Sequence, residues 1–108
     1  MYEPTRLLLS FNIAGVKYYD AAFVMDDLKV GSPLTLESEP ENPHDSQAVK
    51  ISFNGKKLGY VPASMCDSLA PFMFYGYKDI FECVLQKKNP EAETYEQLTV
   101  GVYLKDAR

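Results

Sequence analysis

Asn54 and Gly55 constrain the fold more than any other pair of residues in the chain. Both accept positive φ, which a two-residue hairpin turn needs if its twist is to match that of the strands it joins. The stretches on either side read as strands. Val49, Ile51 and Phe53 share one face, with Lys50 and Ser52 opposite, and the return run is Lys57-Leu58-Gly59-Tyr60-Val61. Alternation with a period of two recurs at residues 7–13, where Leu7, Leu9, Phe11 and Ile13 fall on one face and Leu8, Ser10 and Asn12 on the other. Gly15 ends that strand. Leu34-Thr35-Leu36-Glu37 alternates again, as do residues 80–87 and 97–105. The last run sets Leu98, Val100, Val102 and Leu104 on one face, and the polar loop 88–94 precedes it.

Helical signals are few. A weak turn is expected over residues 21–27. A stripe of Met65, Leu69, Phe72 and Met73 opens after Pro62, where a missing N–H costs nothing, and runs to Gly76. Pro71 predicts a break or kink in it, and the Met and Phe content reads as core filling. Five or six short strands with one or two short helices predict a mostly β chain. The expected form is a small antiparallel, OB-like (modified) β-barrel with a helix plugging one end.

With 108 residues, 46% of them hydrophobic, the chain can bury one core without staples, so residues 1–108 read as a single domain. No apolar run is long enough to span a bilayer. Met1-Tyr2-Glu3-Pro4 does not open like a secretion signal, so a cytoplasmic location is expected. Cys66 and Cys83 lack CxxC spacing, which predicts two reduced thiols rather than zinc or a redox pair. The net charge of −4 argues against broad capture of a phosphate backbone but leaves room for a small site reading one or two nucleotides. Acids gather at Glu37, Glu39, Glu41 and Asp45, and bases at Lys56-Lys57 and Lys87-Lys88.

The polar loop Asn42-Pro43-His44-Asp45 stands just before the hairpin's first strand. Catalysis is not expected from it. His44 is the only histidine, and Asp45, its chain neighbour, is badly placed to orient it. One imidazole with loop carboxylates is a weak metal site, and no Gly-rich phosphate loop exists, so no metal and no cofactor are expected. Binding features are better. Lys17-Tyr18-Tyr19 offers flat rings, each worth ~1–3 kcal/mol when a base stacks on it, beside a cation for a phosphate. Adjacent residues of extended chain point oppositely, so one tyrosine should pack and the other stand exposed. Asp45 alone reads equally well as a turn former. With Asn42 and His44 beside it, its carboxylate would repel phosphate and favour a hydroxyl donor, such as a free sugar 3′-OH.

These residues carry a resemblance. Ala14-Gly15-Val16-Lys17-Tyr18-Tyr19, then Leu34-Thr35-Leu36, then Glu39-Pro40-Glu41-Asn42-Pro43-His44-Asp45 with Ala48-Val49-Lys50-Ile51, then Leu58-Gly59-Tyr60-Val61-Pro62 follow one another as in the HIRAN domain. The chain resembles that family in order over roughly residues 7–104. The resemblance implies a modified OB-like barrel of the kind found at the N-termini of Swi/Snf-type fork-remodelling DNA translocases and as stand-alone bacterial proteins. Better-understood members bind the 3′ end of single-stranded DNA. By position, Tyr18 and His44 are implied to stack on terminal bases, Asn42 and Asp45 to hydrogen-bond the terminal nucleotide, with Asp45 on the 3′-OH, and Lys17 to take a phosphate. Tyr60 stands where the family often has His, and Tyr95, placed at the start of the last strand, resembles a further stacking aromatic.

The chain also departs from the well-studied members. Lys17 replaces an Arg and so loses a bidentate fork. His44 replaces a Tyr, and Pro62-Ala63-Ser64 lacks a backbone-gripping lysine. Weaker and more salt-sensitive DNA binding is therefore expected. The leading expectation is a single-stranded DNA 3′-end binding module linked to DNA repair, with any translocase or helicase supplied by another chain. The alternatives are a protein–protein interaction domain with a vestigial nucleic-acid site, and a metal-dependent nuclease using His44 and nearby acids.

Overall fold

The computed structural model describes residues 5–43, 48–75 and 80–105. At the hairpin tip Asn54 has φ 50° and Gly55 φ 81°, the double left-handed turn that the dipeptide predicts. It joins β3 (Val49–Phe53) to β4 (Lys56–Tyr60). The other strands are β1 (Thr5–Asn12), β2 (Pro33–Ser38), β5 (Phe81–Lys88) and β6 (Leu98–Lys105). All pairings are antiparallel, in one six-stranded sheet of order β1-β6-β5-β2-β3-β4.

The sheet curls until its two ends meet. Just past β1, Ala14 exchanges both backbone hydrogen bonds with Tyr60 at the end of β4, each 2.9 Å long. This one bridge turns an open sheet into an OB-like half-barrel and removes part of two exposed edges. It also explains Gly59. A Cβ there would lie 2.3 Å from the Ala14 carbonyl oxygen and 2.6 Å from Ile13 Cγ2, so only glycine lets the ends close.

The predicted faces form the core. Phe11, Ile13, Leu34, Leu36, Val49, Ile51, Leu58, Leu85, Leu98, Val100 and Val102 are all buried in it, and each aliphatic side chain withdrawn from water contributes ~1.5–3 kcal/mol. Leu7 is an exception. Leu7 pairs with Tyr103 and Leu9 with Val102, so Leu8 is an extra, bulged residue and the alternation changes phase there. Leu9 joins the core while Leu7 is 51% exposed.

The weak turn is α1 (Ala21–Val24), which buries Ala21 and Val24. The longer helix is α2 (Ala63–Phe74), opened by Pro62 and packed against β2 and β3. Its buried stripe is Cys66, Leu69 and Met73, while Phe72 is exposed and meets Phe81 edge-on at 5.8 Å between ring centres. Pro71 does not break this helix as expected. It lies inside it, and Tyr75 N–H donates to the Pro71 carbonyl at 3.2 Å. The missing Pro71 N–H costs one intrahelical bond, and Leu69 and Met73, buried on either side, hold the helix together across the gap. Gly76 lies outside the described residues.

Both cysteines are buried, and the Cys66 thiol donates to the Val61 carbonyl at 3.5 Å. Burial pushes the Cys83 thiol up to about 12, so it stays protonated and inert. Among the described residues, no helix is long and apolar enough to cross a membrane.

Candidate nucleic-acid interface

A bulge at Leu58 builds the site. Along β3–β4, Ser52 pairs with Lys57, Ile51 with Gly59 and Lys50 with Tyr60, which leaves Leu58 as the extra residue. In an unbroken strand Lys57 and Tyr60, three apart, would face opposite ways. The bulge changes the phase, and because cross-strand partners share a face, Lys57 joins Ser52, Lys50 and Tyr60 on the outer one. Glu39 reaches the same face from the neighbouring strand. Its N–H donates to the Ala48 carbonyl at 2.9 Å, extending the β2–β3 pairing one step beyond Ser38–Val49. Glu37, two residues earlier, is ion-paired with Lys50 at 2.8 Å. A tight turn follows Glu39, closed by Asn42 N–H on the Glu39 carbonyl at 3.0 Å, and brings the Asn42 amide back over the strand.

The four side chains form one network. The Tyr60 hydroxyl donates to Glu39 Oε1 at 2.6 Å. Asn42 Nδ2 donates to the same oxygen at 3.1 Å and to the Tyr60 hydroxyl at 3.3 Å. Lys57 Nζ is ion-paired with Glu39 Oε2 at 3.2 Å and also donates to the Tyr60 hydroxyl. The ammonium sits 4.4 Å from the ring centre of Tyr60 and 4.5 Å from that of Tyr19, near enough for cation–π attraction to both. Tyr19 meets Tyr60 edge-on at 5.6 Å.

The network shifts the titration of its members. Partial burial works to raise the Glu39 pKa, but the hydrogen bonds from Tyr60, Asn42 and Lys57, with the Lys57 charge, outweigh it and hold the carboxyl below its usual range. Burial likewise works to lower Lys57, and its bonds to Tyr60 and Glu39 reverse that, so its pKa is raised. Burial and the bond to Glu39 raise the Tyr60 phenol against the opposing pull of Lys57. At neutral pH the site therefore holds an ionised acid, an ionised lysine and a neutral phenol.

These groups floor a groove of about 590 Å³, lined by Tyr19, Lys57, Tyr60 and the turn from Ser38 to Pro43. A smaller apolar recess of about 230 Å³ shares Tyr19, Asn42 and Tyr60 with it and is walled by Ala14, Ala48 and Ala63.

A second group of residues stands on short turns beside the floor. Gly15, at φ 75°, starts a 3-10 turn over Val16–Tyr18. Asp20 N–H then donates to the Lys57 carbonyl at 2.9 Å and ties the segment to β4. The two tyrosines divide as expected: Tyr18 is 72% exposed, while Tyr19 packs on Tyr60. Lys17 lies over the Tyr18 ring, 5.0 Å from its centre. Tyr95, 63% exposed, belongs to a 3-10 turn over Thr94–Glu96 that touches the turn bearing Tyr18. It thus precedes the last strand, which begins at Leu98, instead of standing at its start.

Of the residues singled out from sequence, Asn42 and Tyr60 line the groove, and Lys17, Tyr18 and Tyr95 stand on the adjoining turns. His44 and Asp45 lie outside the described residues. Sequence reasoning overlooked Glu39 and Lys57, and it expected a tyrosine of the Tyr18-Tyr19 pair to pack without placing Tyr19 in a groove. Glu39 and Lys57 look like solvated surface charges when counted within acidic and basic clusters. A strand count without the bulge also sends Lys57 to the wrong face. The other basic cluster is partly structural, since Lys88 Nζ donates to the Met25 and Leu28 carbonyls, both at 2.9 Å. Among the described residues, no group of three or more His, Cys, Asp or Glu side chains could hold a metal ion.

Comparison with known proteins agrees with this fold. The chain is 29% identical over 92 residues to a protein described as a Fanconi-associated nuclease 1 homolog from Oryza sativa subsp. japonica, a match covering 67% of this chain and 10% of that protein. The chain thus spans about a tenth of that relative's length. Two solved structures share the fold. A protein from Lactobacillus plantarum superposes with a TM-score of 0.79 at 19% identity, over 94% of this chain and 96% of that one. The HIRAN domain of human HLTF superposes with a TM-score of 0.64 at 18% identity, over 96% of this chain and 82% of that one. The family model of the HIRAN domain matches residues 7–105, nearly the whole barrel and every described residue of the groove, and the chain therefore belongs to the HIRAN domain family.

Proposed function

We propose that this protein is a non-catalytic binding module for the 3′ end of single-stranded DNA, acting in DNA repair or fork processing beside a translocase or helicase carried by another chain. The observation that carries this reading is an open groove with a polar floor, next to the two exposed rings of Tyr18 and Tyr95 on touching turns. Flat exposed rings suit bases of any sequence. The floor supplies polar groups for a sugar or base edge, with Asn42 and Tyr60 among them. Family membership supports the DNA-related reading, as do the names of two similar proteins, a Fanconi-associated nuclease homolog and the HLTF HIRAN domain. Asp45 is the proposed reader of the terminal hydroxyl, because a carboxylate accepts from a hydroxyl and repels a phosphate.

The test is fluorescence anisotropy at low salt with two short oligonucleotides differing only at the terminus, one ending in 3′-OH and one in 3′-phosphate. Tighter binding of the 3′-OH strand is expected, and Asp45→Ala should abolish the difference. Equal binding of the two strands by the unaltered protein refutes the proposal.

A further inference from the structure

We infer that Lys57 is the cation that meets the DNA backbone inside the groove, and that Glu39 both positions this charge and weakens its hold on phosphate. The inference rests on the 3′-end reading and adds a residue to it. Lys57 is the sole cation among the described residues that line the groove, which also carries two carboxylates, Glu39 and Glu41. A strand entering the groove therefore meets two negative charges and one positive charge, and Lys57 is the group there that can attract a phosphate. The side chain is suited to the task. It keeps 27% of its surface exposed, and its ammonium is held between the rings of Tyr19 and Tyr60. Two of its three N–H donors go to Glu39 and Tyr60, leaving one for an incoming acceptor.

Lys17 is placed differently. It stands exposed over the ring of Tyr18, outside the groove lining. The two lysines would therefore contact different phosphates, one at the floor and one on the adjoining turn. Glu39 has opposite effects on the floor contact. Its ion pair fixes the ammonium in place, while its charge opposes any phosphate drawn to the same spot.

The experiment is a salt titration of the affinity for a short single-stranded oligonucleotide ending in 3′-OH, with a 3′-phosphate strand in parallel. Each phosphate contact on a single strand contributes about 0.7 to the slope of log affinity against log salt concentration. Lys57→Met should flatten the slope by about that amount while keeping the 3′-OH preference. Lys57→Arg should restore the slope, and Lys87→Met, on β5 away from the groove, should leave it unchanged. Glu39→Gln keeps an acceptor for Tyr60 and Lys57 but removes the charge, and should bind several-fold more tightly at low salt. If Lys57→Met is poorly folded, the Arg and Gln variants carry the test. An unchanged slope in Lys57→Met, or unchanged or weaker binding by Glu39→Gln, overturns the inference. Loss of the 3′-OH preference in the unaltered protein instead overturns the 3′-end reading itself.

Discussion

The groove floor and the turns beside it are built from the same residue types, lysine and tyrosine, yet they differ in mechanical character. On the floor Tyr60 and Lys57 are fixed by a carboxylate, an amide and a second ring. On the turns Tyr18 and Tyr95 are 72% and 63% exposed, and Lys17 rests over the Tyr18 ring alone. A fixed floor is preorganised, so little ordering entropy is spent when a ligand arrives. Exposed turn side chains must be ordered on binding but can follow bases of different shape. The two regions should therefore respond differently to substitution: changes on the floor cost stability as well as altering affinity, and changes on the turns alter affinity alone.

The contrast is most exposed at Gly59, on which the floor depends. Gly59→Ala would press a methyl group against the Ala14 carbonyl oxygen at 2.3 Å and break the bridge that closes the barrel. A loss of about 3 kcal/mol is expected from such overpacking, measured by urea unfolding. A loss below about 1 kcal/mol would mean that the barrel ends move apart easily and the floor is not rigid.

Next comes Tyr18→Ala, which should lower affinity for single-stranded DNA by ~1–3 kcal/mol while changing stability by less than about 0.5 kcal/mol. Anisotropy and urea unfolding on the same sample separate the two. A stability loss as large as the affinity loss would dissolve the contrast between the regions.

A weaker signature is a pH dependence confined to the floor. Glu39 has its folded-state pKa held below the ordinary value of 4.5. Its contribution is therefore fully present above the ordinary carboxylate range and is lost as pH falls through the lowered folded value. Glu39→Gln should reduce stability at neutral pH and flatten the acid limb of the stability profile. An acid limb identical in the two proteins would show that the network adds nothing to stability.

Much of the fold was legible in local patterns. The Asn54-Gly55 turn follows from backbone preference. The buried faces of Leu34 and Leu36, and of Leu98, Val100 and Val102, follow from a period of two. Tyr18 and Tyr19 divide as expected but for another reason, since Tyr18 lies on a 3-10 turn and not in extended chain. The motif around Asn42 and Tyr60 was legible too, because those residues occur in family order along the chain. The role of Glu39 was not. Its partners Lys57 and Tyr60 are 18 and 21 residues away, and nothing local distinguishes it from Glu37 or Glu41.

Primary structure alone settles the strand-rich content, the position of the hairpin, the residues available to the core and membership of the HIRAN family. Which side chains face one another is settled only when the strands pair. Three single-residue bulges, at Leu8, Leu58 and Gln86, change the phase of alternation, the first turning Leu7 outward and the second turning Lys57 toward Tyr60. Packing likewise carries α2 through Pro71. Alternation is a property of one strand, whereas a bulge depends on the partner strand and on the curvature needed to bring Ala14 to Tyr60.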